Sequence, residues 1–385
     1  MKYTKESENL QTFVDSTLHH IPIEKLNKPS QNELRQIYQH MHDGNNNYKS
    51  AKFYKNNHPG SDTSHVPDEI KPHLVRCTYV EATTFKVNGR TIHLRISSPR
   101  PIQNFMQYVK RIYIWLYIAS KYASTQCSET ININIYLTAH VKLLPVNGNT
   151  IGRPNVNTAY TTPCASSTDI CIYREQEWFK VFIHETFHNL GLDFSRMRIT
   201  AADAHIQKMF KINADISLYE TYCEIWAEII HCQFLTFFAT HIKTHYDTML
   251  GKLDRMLETE ARFSLFQCAK VLDHNHMVYT DLFNESKRRN YREDTHVLSY
   301  YIIKALLLYH KNRFIAWCST NNRVLLDFNK TAHGVDSFCG LIRGIYMDPV
   351  YINVMKSIES WFIYNKLSGT FARKTLRMTV MELEN

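Results

Sequence analysis

The sequence predicts an α+β fold, because strand patterns are confined to its first half and helical patterns fill the second. A chain of 385 residues exceeds what one ordinary core covers, so two domains are expected. Residues 1–75 are interpreted as an N-terminal extension with one short helix over residues 31–42, followed by turn-rich residues 43–47. Residues 76–194 are expected to form a small mixed β-sheet with helices, and residues 195–385 an irregular helical domain that stays helical to its end.

A β-hairpin is the clearest element of the first half. Apolar residues alternate over residues 85–96 on either side of Asn88–Gly89, the turn pair most typical of a two-residue hairpin loop. Residues 101–123 then carry apolar side chains at helical spacing. Residues 130–138 alternate apolar and polar side chains, which predicts a strand with one buried face.

Two further strand patterns follow a turn-rich stretch. Residues 170–173 form a short apolar run that predicts a buried strand. The polar segment before it is interpreted as an edge strand, with a plain surface loop as the alternative. That segment consists of Asn155, Val156, Asn157, Thr158, Ala159, Tyr160, Thr161 and Thr162.

The next helix carries His184, Glu185 and His188 in an H-E-x-x-H arrangement. Two histidines four residues apart lie one above the other on a helix, so their imidazoles can bind one metal ion while Glu185 reaches a water on that ion. The apolar residues of the segment share another face, and Gly191 stands where a glycine ends a helix. These features favour a metal site over an ordinary pair of core or surface histidines.

The segment HETFHNLGLDF, from His184 to Phe194, resembles the active-site helix of the zincin metallopeptidases. The longer run from Asn155 to Phe194 is similar to metallopeptidases of large cytoplasmic DNA viruses. The resemblance implies one Zn²⁺ per chain, bound by both histidines, and Glu185 as the general base that hydrolyses peptide bonds. The partner would be a protein or peptide substrate.

The same resemblance implies a zincin-like two-lobed fold. Residues 76–194 would form the upper lobe, a small mixed β-sheet with helices that include the one bearing the histidines. Residues 195–385 would form a mostly α-helical lower lobe that supplies the third metal ligand. The edge strand would line the cleft between the lobes and pair with an extended substrate.

A catalytic zinc needs a third protein ligand. In one branch of the zincins this ligand is a histidine at the position of Phe194, which cannot ligate, and Asp193 is one residue out of register. The gluzincin branch uses a glutamate from a later helix. Glu220, Glu224 and Glu228 provide candidates, because they fall on one face of an otherwise apolar helical segment.

The resemblance favours Glu224 as the third ligand, with Glu228 orienting a metal-binding histidine. A register shifted by one turn makes Glu220 the ligand and Glu224 the orienting group. An ordinary amphipathic helix with a narrow polar edge is the third interpretation. Four side chains within sequence reach are candidates to stabilise the oxyanion: Tyr219, Tyr222, His205 and His231.

Composition limits the remaining functional classes. No apolar run reaches the length of about eighteen residues that a membrane span needs, and the first residues lack the apolar core of a signal peptide. We therefore expect a non-secreted, intracellular protein, in the host cytoplasm or the virion if it is viral. The nine cysteines show no C-x-x-C spacing, so reduced thiols are expected, with Cys164 and Cys171 as buried or bystander thiols and not ligands.

The formal net charge of +9 raises the question of nucleic-acid binding. The densest basic runs, in residues 287–292 and 373–377, lie far apart and lack the aromatic-glycine pattern of an RNA-binding sheet, so solvated faces are favoured. Three functions therefore remain. They are a zinc-dependent peptidase, a catalytically silent zincin-fold structural or virion-associated protein that keeps its metal, and a protein that binds nucleic acid or an acidic partner and carries an incidental motif.

Overall fold

The structure, a computed structural model, describes residues 2–56, 60, 62–146, 148–240, 246–365 and 369–384. Its fold is mixed α+β, as predicted. The strands are β1 (Tyr54–Lys55), β2 (Tyr79–Val87), β3 (Arg90–Ser98), β4 (Thr130–Tyr136), β5 (Ile151–Gly152), β6 (Ala159–Thr161), β7 (Ser167–Ile172) and β8 (Glu293–Asp294). The helices are α1 (Lys5–Thr17), α2 (Lys28–Ser50), α3 (Lys71–Val75), α4 (Phe105–Tyr122), α5 (Arg153–Val156), α6 (Trp178–Asn189), α7 (Thr200–Met209), α8 (Leu218–Ala239), α9 (Tyr246–His274), α10 (Lys304–Tyr309), α11 (Lys311–Asn321), α12 (Ala332–Arg343), α13 (Pro349–Tyr364) and α14 (Phe371–Lys374). Short 3₁₀ turns span Tyr279–Phe283 and Glu285–Lys287, and a π-helical segment, Leu298–Ile303, leads into α10.

A six-stranded sheet in the order β1-β2-β3-β4-β7-β6 forms the centre of the first half. The predicted hairpin is confirmed: β2 and β3 pair antiparallel, and Asn88 and Gly89 take φ angles of 46° and 82°, as a two-residue turn of this kind requires. Strands β3, β4 and β7 run parallel, and β6 pairs antiparallel with β7 at the edge. A second, two-stranded sheet joins β5 to β8.

The predicted edge strand is only partly correct. Residues Arg153–Val156 form the short helix α5, so Asn155 and Val156 do not belong to a strand. Pro154 stands at the start of this helix, where its missing N–H is not needed, and the Asn155 side chain accepts a hydrogen bond from Gly152 N at 3.0 Å. The edge strand β6 begins at Ala159, two residues after Asn157.

Helix α6 is packed on both of its sides, and half of its twelve residues are apolar. On one side it contacts β6, β7 and α4, and on the other it lies along α8. All twelve of its residues are buried. This position places the two histidines between the open edge of the sheet and the helical second half.

The N-terminal region is more helical than predicted. Helix α2 extends from Lys28 to Ser50 and passes through the turn-rich residues 43–47, so the expected short helix over residues 31–42 is wrong in length. Gly44 is buried against α4, and a Cβ atom there would lie 3.1 Å from the Tyr117 ring. Close packing of two helices thus overrides the local turn preference. The boundaries expected at residues 75 and 194 stay predictions.

The prediction that the chain stays helical to its end is wrong. Residues 375–383 are buried and form neither a helix nor a strand. Side chains bind much of their backbone: Glu177 accepts hydrogen bonds from Met378 N and Thr379 N at 2.7 Å, and Glu260 accepts those of the next two residues. Along the described stretches of chain, no helix has both the length and the apolar character needed to cross a lipid bilayer.

The expectation that all cysteines are reduced is wrong for one pair. Cys127 and Cys164 form a disulfide with a Cα–Cα distance of 4.6 Å. The two residues are 37 positions apart, so their spacing carried no signal. The other seven cysteines, Cys171 included, are outside disulfides and buried.

Candidate metal centre

Helix α6 carries the H-E-x-x-H residues on its last two turns. Its final residue, Asn189, is followed by Leu190 and then by Gly191, which has a φ of 62°, a conformation that favours glycine. A Cβ atom on Gly191 would lie 3.2 Å from Cys164 Cβ and 3.3 Å from Cys127 Sγ. The predicted helix end is thus confirmed, and both a left-handed backbone and a close disulfide disfavour a larger residue there.

Three ligand atoms converge where α6 meets α8. The Nε2 atoms of His184 and His188 are 3.1 Å apart. Glu220 Oε2 lies 3.0 Å from His184 Nε2 and 3.4 Å from His188 Nε2. The three atoms form a nearly equilateral triangle that opens toward the cleft, whose walls include all three residues.

The other ring nitrogen of each histidine faces a carboxylate. His184 Nδ1 lies 3.0 Å from Glu224 Oε2, and His188 Nδ1 is hydrogen-bonded to Asp193 Oδ2. Carboxylates accept hydrogen bonds, so this arrangement suits a proton on each Nδ1, which would leave a lone pair on each Nε2. Without a metal ion, Glu220 can also accept from the Nε2 atoms, and although burial opposes it, Cys223, Asp193 and Glu220 raise the pKa of His188 well above its ordinary value. With the imidazole protons on Nδ1, the triangle offers three electron-pair donors to a metal ion.

This donor set fits a zinc ion. Zinc–ligand bonds of about 2.0–2.2 Å place neighbouring ligand atoms of a tetrahedral site about 3.3 Å apart, close to the observed edges of the triangle. Two neutral imidazoles and one carboxylate also leave one position open. Carboxylates on the outer nitrogens are the usual support of metal-binding histidines.

Burial acts differently on the titrating groups of the site. It lowers the pKa of His184 to about 4, which keeps that imidazole neutral and able to bind a metal ion. It raises the pKa of Glu185 to about 8. The Glu185 side chain lines the cleft beside the triangle, where a bound cation would favour its ionised form.

The acidic stripe of α8 is present, but its register differs from the favoured interpretation. Glu220, and not Glu224, approaches the two Nε2 atoms. Glu224 lies on the opposite side of the His184 ring and is also paired with the buried Lys180. Glu228 orients neither histidine, because it lies one turn further into the interior and pairs with Lys304 at 2.8 Å.

The cleft has a volume of about 660 Å³ and runs past the triangle. Strand β6 and the following Thr162 form part of one wall, and residues 293–296 with Tyr300 form part of another. Asn157 also lines it, whereas Val156 and Thr158 are buried behind it. Much of the predicted edge segment thus borders the cleft.

Of the four predicted oxyanion donors, only Tyr219 reaches the cleft. Its ring centroid lies 5.9 Å from that of His188. Tyr222 is fully buried and donates its hydroxyl to a main-chain carbonyl, and the buried His231 Nε2 is bonded to another. His205 is exposed on α7, away from the cleft-lining residues.

Sequence reasoning missed Tyr300, which lines the cleft opposite α6. Its ring centroid lies 6.1 Å from that of His184, and its hydroxyl is beside Glu220. Burial, with the nearby Glu220 and Glu185 carboxylates, raises the pKa of Tyr300 well above its ordinary value, so the hydroxyl keeps its proton. Nothing in the spacing of residues 298–303 marks this position.

Comparison of the chain with protein-family models, with curated proteins and with solved structures gives no match. The function of the chain is therefore inferred from the geometry of the centre itself.

Proposed function

We propose that this protein is a zinc-dependent metallopeptidase with a gluzincin-like ligand set on a two-lobed, zincin-like fold. One observation carries the proposal: the Nε2 atoms of His184 and His188 and one oxygen of Glu220 converge with their lone pairs toward one point. Three such donors repel one another unless a metal ion or a proton lies between them. No lysine or arginine forms an ion pair with Glu220 among the described residues, so a metal ion would supply a compensating charge that the two imidazoles provide only when protonated.

His184, His188 and Glu220 would hold one Zn²⁺ per chain. When bound, zinc supplies a Lewis acid that polarises the scissile carbonyl and makes a nearby water more acidic. Glu224 and Asp193 fix the imidazole rings by accepting from Nδ1, so the Nε2 lone pairs stay directed at the ion.

Glu185 is the general base in this proposal. Its carboxylate opens into the cleft between the two histidines on α6, where it can take a proton from the attacking water. It then transfers the proton to the amine that leaves as the peptide bond breaks. The same carboxyl therefore serves both steps, and no second acid is needed.

Tyr300 and Tyr219 are the candidate donors to the developing oxyanion. Both line the cleft, and their ring centroids lie 6.1 Å from that of His184 and 5.9 Å from that of His188, respectively. Tyr300 is favoured because its hydroxyl lies beside Glu220, one of the residues that would hold the ion.

The edge strand β6 is the proposed substrate platform. It pairs with β7 on one side, and its other side borders the cleft. An extended peptide can add to such an edge through main-chain hydrogen bonds, which requires no particular side chain.

Zinc content and hydrolysis by the purified protein test the proposal together. We expect one zinc per chain by mass spectrometry, cleavage of a mixed peptide library, loss of cleavage on chelation, and recovery when zinc is restored. Stoichiometric zinc without cleavage of any peptide would favour the catalytically silent alternative. Protein that binds no zinc would contradict both.

A further inference from the structure

A second cavity, of about 680 Å³, continues from the cleft. The two cavities share Glu293 and Asp294 in their walls. These residues form β8, which pairs with β5 and so fixes the position of the junction. We call the second cavity the basic pocket. Its walls are Thr150, Asn213, Arg288, Arg289, Tyr291, Arg292, Glu293 and Asp294.

The charge of the basic pocket comes from three arginines. Arg288 is paired with Glu285 at 3.2 Å, whereas Arg289 and Arg292 are exposed and form no ion pair within the described part of the chain. The backbone of Arg292 is held by a 3.0 Å hydrogen bond from its N–H to Asn275 Oδ1. Two guanidinium groups are thus available at the pocket wall.

Glu293, at the junction of the two cavities, does not neutralise these arginines. Glu293 Oε2 accepts hydrogen bonds from Tyr291 O–H at 2.6 Å and from Leu298 N at 2.7 Å. Its carboxyl is thus committed to the interior. Asp294, which is exposed, is the remaining carboxylate of the pocket.

The cleft beside the triangle has the opposite character. Glu185, Asp215 and Glu220 line it, with Arg153 as the arginine of its wall. A polypeptide that crosses both cavities meets an acidic region at the metal centre and a basic region beyond β8. The favourable occupant of the second region carries carboxylates.

We propose that the basic pocket is a substrate subsite that selects acidic residues, Asp or Glu, at a fixed distance from the scissile peptide bond. This inference rests on the proposed peptidase function for its link to cleavage, but the binding of an acidic segment can be measured without cleavage. Planar guanidinium groups suit carboxylates because they offer paired N–H donors.

A nucleic acid is the less favoured occupant. Binding of single strands relies on aromatic side chains on which bases stack. Tyr291 is the aromatic residue in the described wall of the basic pocket, and it is buried with its hydroxyl bonded to Glu293. Arginines without a stacking surface, joined to a cleft bordered by an open strand edge, fit an acidic peptide better.

The test uses the zinc-loaded, full-length Glu185→Gln variant and fluorescence anisotropy. The probe is a labelled peptide with a run of Glu residues in a neutral sequence, and its partner carries Gln at the same positions. We expect the acidic peptide to bind about tenfold more tightly, as two arginine–carboxylate contacts at the surface allow, and the preference to weaken with added salt.

The decisive variant combines Arg288→Gln, Arg289→Gln and Arg292→Gln, and it should lose the preference. Its matched control removes the same charge from exposed positions on three other helices, with Arg255→Gln, Arg343→Gln and Lys356→Gln, and should keep it. Equal losses in both variants, or equal binding of the two peptides, would overturn the proposal. So would tighter binding of a single-stranded oligonucleotide that competes with the peptide at the same arginines.

Cleavage gives an independent second readout. In the wild-type protein, a pair of Glu residues is moved one position at a time along a cleavable neutral peptide. We expect kcat/KM to peak at one offset from the scissile bond and the peak to vanish in the triple arginine variant. A preference in binding without any cleavage would refute the peptidase function and leave the acidic-segment site standing, whereas cleavage with a flat profile would refute the subsite alone.

Discussion

The two ends of α8 treat buried carboxylates differently. In the interior, Glu224 pairs with Lys180 and Glu228 pairs with Lys304, and both lysines are almost fully buried. At the cleft end, Glu220 faces two imidazole nitrogens and is supplied with no such cation in the described chain. Removing a charge from water is costly unless an opposite charge compensates it. In the interior the protein provides its own cation, whereas at the cleft the proposed Zn²⁺ would supply the opposite charge.

The largest expected effect is on metal content at the cleft end. Glu220→Ala and His188→Ala should each lose stoichiometric zinc, because two remaining ligands do not hold a tetrahedral site tightly. Glu228→Ala, two turns along the same helix, should keep its zinc, provided that the variant folds. Zinc is counted by mass spectrometry on folded protein. Full zinc content in Glu220→Ala would contradict this contrast between the two ends of α8 and would favour Glu224 as the third ligand.

The next effect separates proton transfer from metal binding. Glu185→Gln should retain zinc but lower kcat for peptide hydrolysis roughly 10²- to 10⁴-fold, because a general base is removed and no ligand is. Steady-state kinetics and zinc content are measured on the same sample. Glu129→Gln, an exposed glutamate far from the cleft, is the control and should match wild type. Loss of zinc in Glu185→Gln would show that the carboxylate supports the ion itself.

A stability measurement sharpens the contrast between the two ends. Glu228→Gln leaves Lys304 buried without its counter-charge, so the free energy of unfolding should fall by about 3–5 kcal/mol. Glu220→Gln, measured without metal, removes a charge that faces two imidazole rings and no lysine, and it should cost less. Urea denaturation of both variants in chelator gives the two values. Equal destabilisation would mean that Glu220 is paired within the protein as firmly as Glu228.

A smaller effect concerns the support of His184. Glu224→Gln should weaken zinc affinity by roughly ten- to a hundredfold without abolishing it, because the carboxylate that fixes the ring becomes a neutral amide. Competition with a metal-sensitive dye measures the affinity. Adding Lys180→Met should restore stability but not affinity, since it removes only the uncompensated ammonium. An unchanged affinity in Glu224→Gln would exclude an orienting role.

The smallest expected effect concerns a largely buried carboxylate that has neither a lysine nor a metal ion as its partner in the described chain. Burial raises the pKa of Glu359, on α13, from 4.5 to about 7, so this group takes up a proton. A raised folded-state pKa gives stability that is present below pH 4.5 and is lost as pH rises through about 7. Glu359→Gln should therefore gain stability relative to wild type as pH increases across that range. Urea titrations at several pH values check this, with Glu129→Gln as the control that should not change.

The sequence by itself determined the local elements. The hairpin around Asn88–Gly89, the strands β4 and β7, and helix α6 with its end at Gly191 follow from periods of two and 3.6 residues and from turn chemistry, which act over short distances in the chain. The same reasoning placed His184, Glu185 and His188 on one face of α6. It also placed the three glutamates on one stripe of α8.

Only the tertiary structure decided which glutamate meets the histidines. Glu220 and Glu224 occupy equivalent places in the helical pattern, one turn apart, and a shift of α8 along α6 by about 5.4 Å exchanges them. That shift is set by the packing of apolar side chains from many elements, which no local pattern records. The same holds for Lys180 beside Glu224, for Tyr300 across the cleft, for the Cys127–Cys164 disulfide and for the buried, irregular residues 375–383, because each depends on contacts between distant parts of the chain.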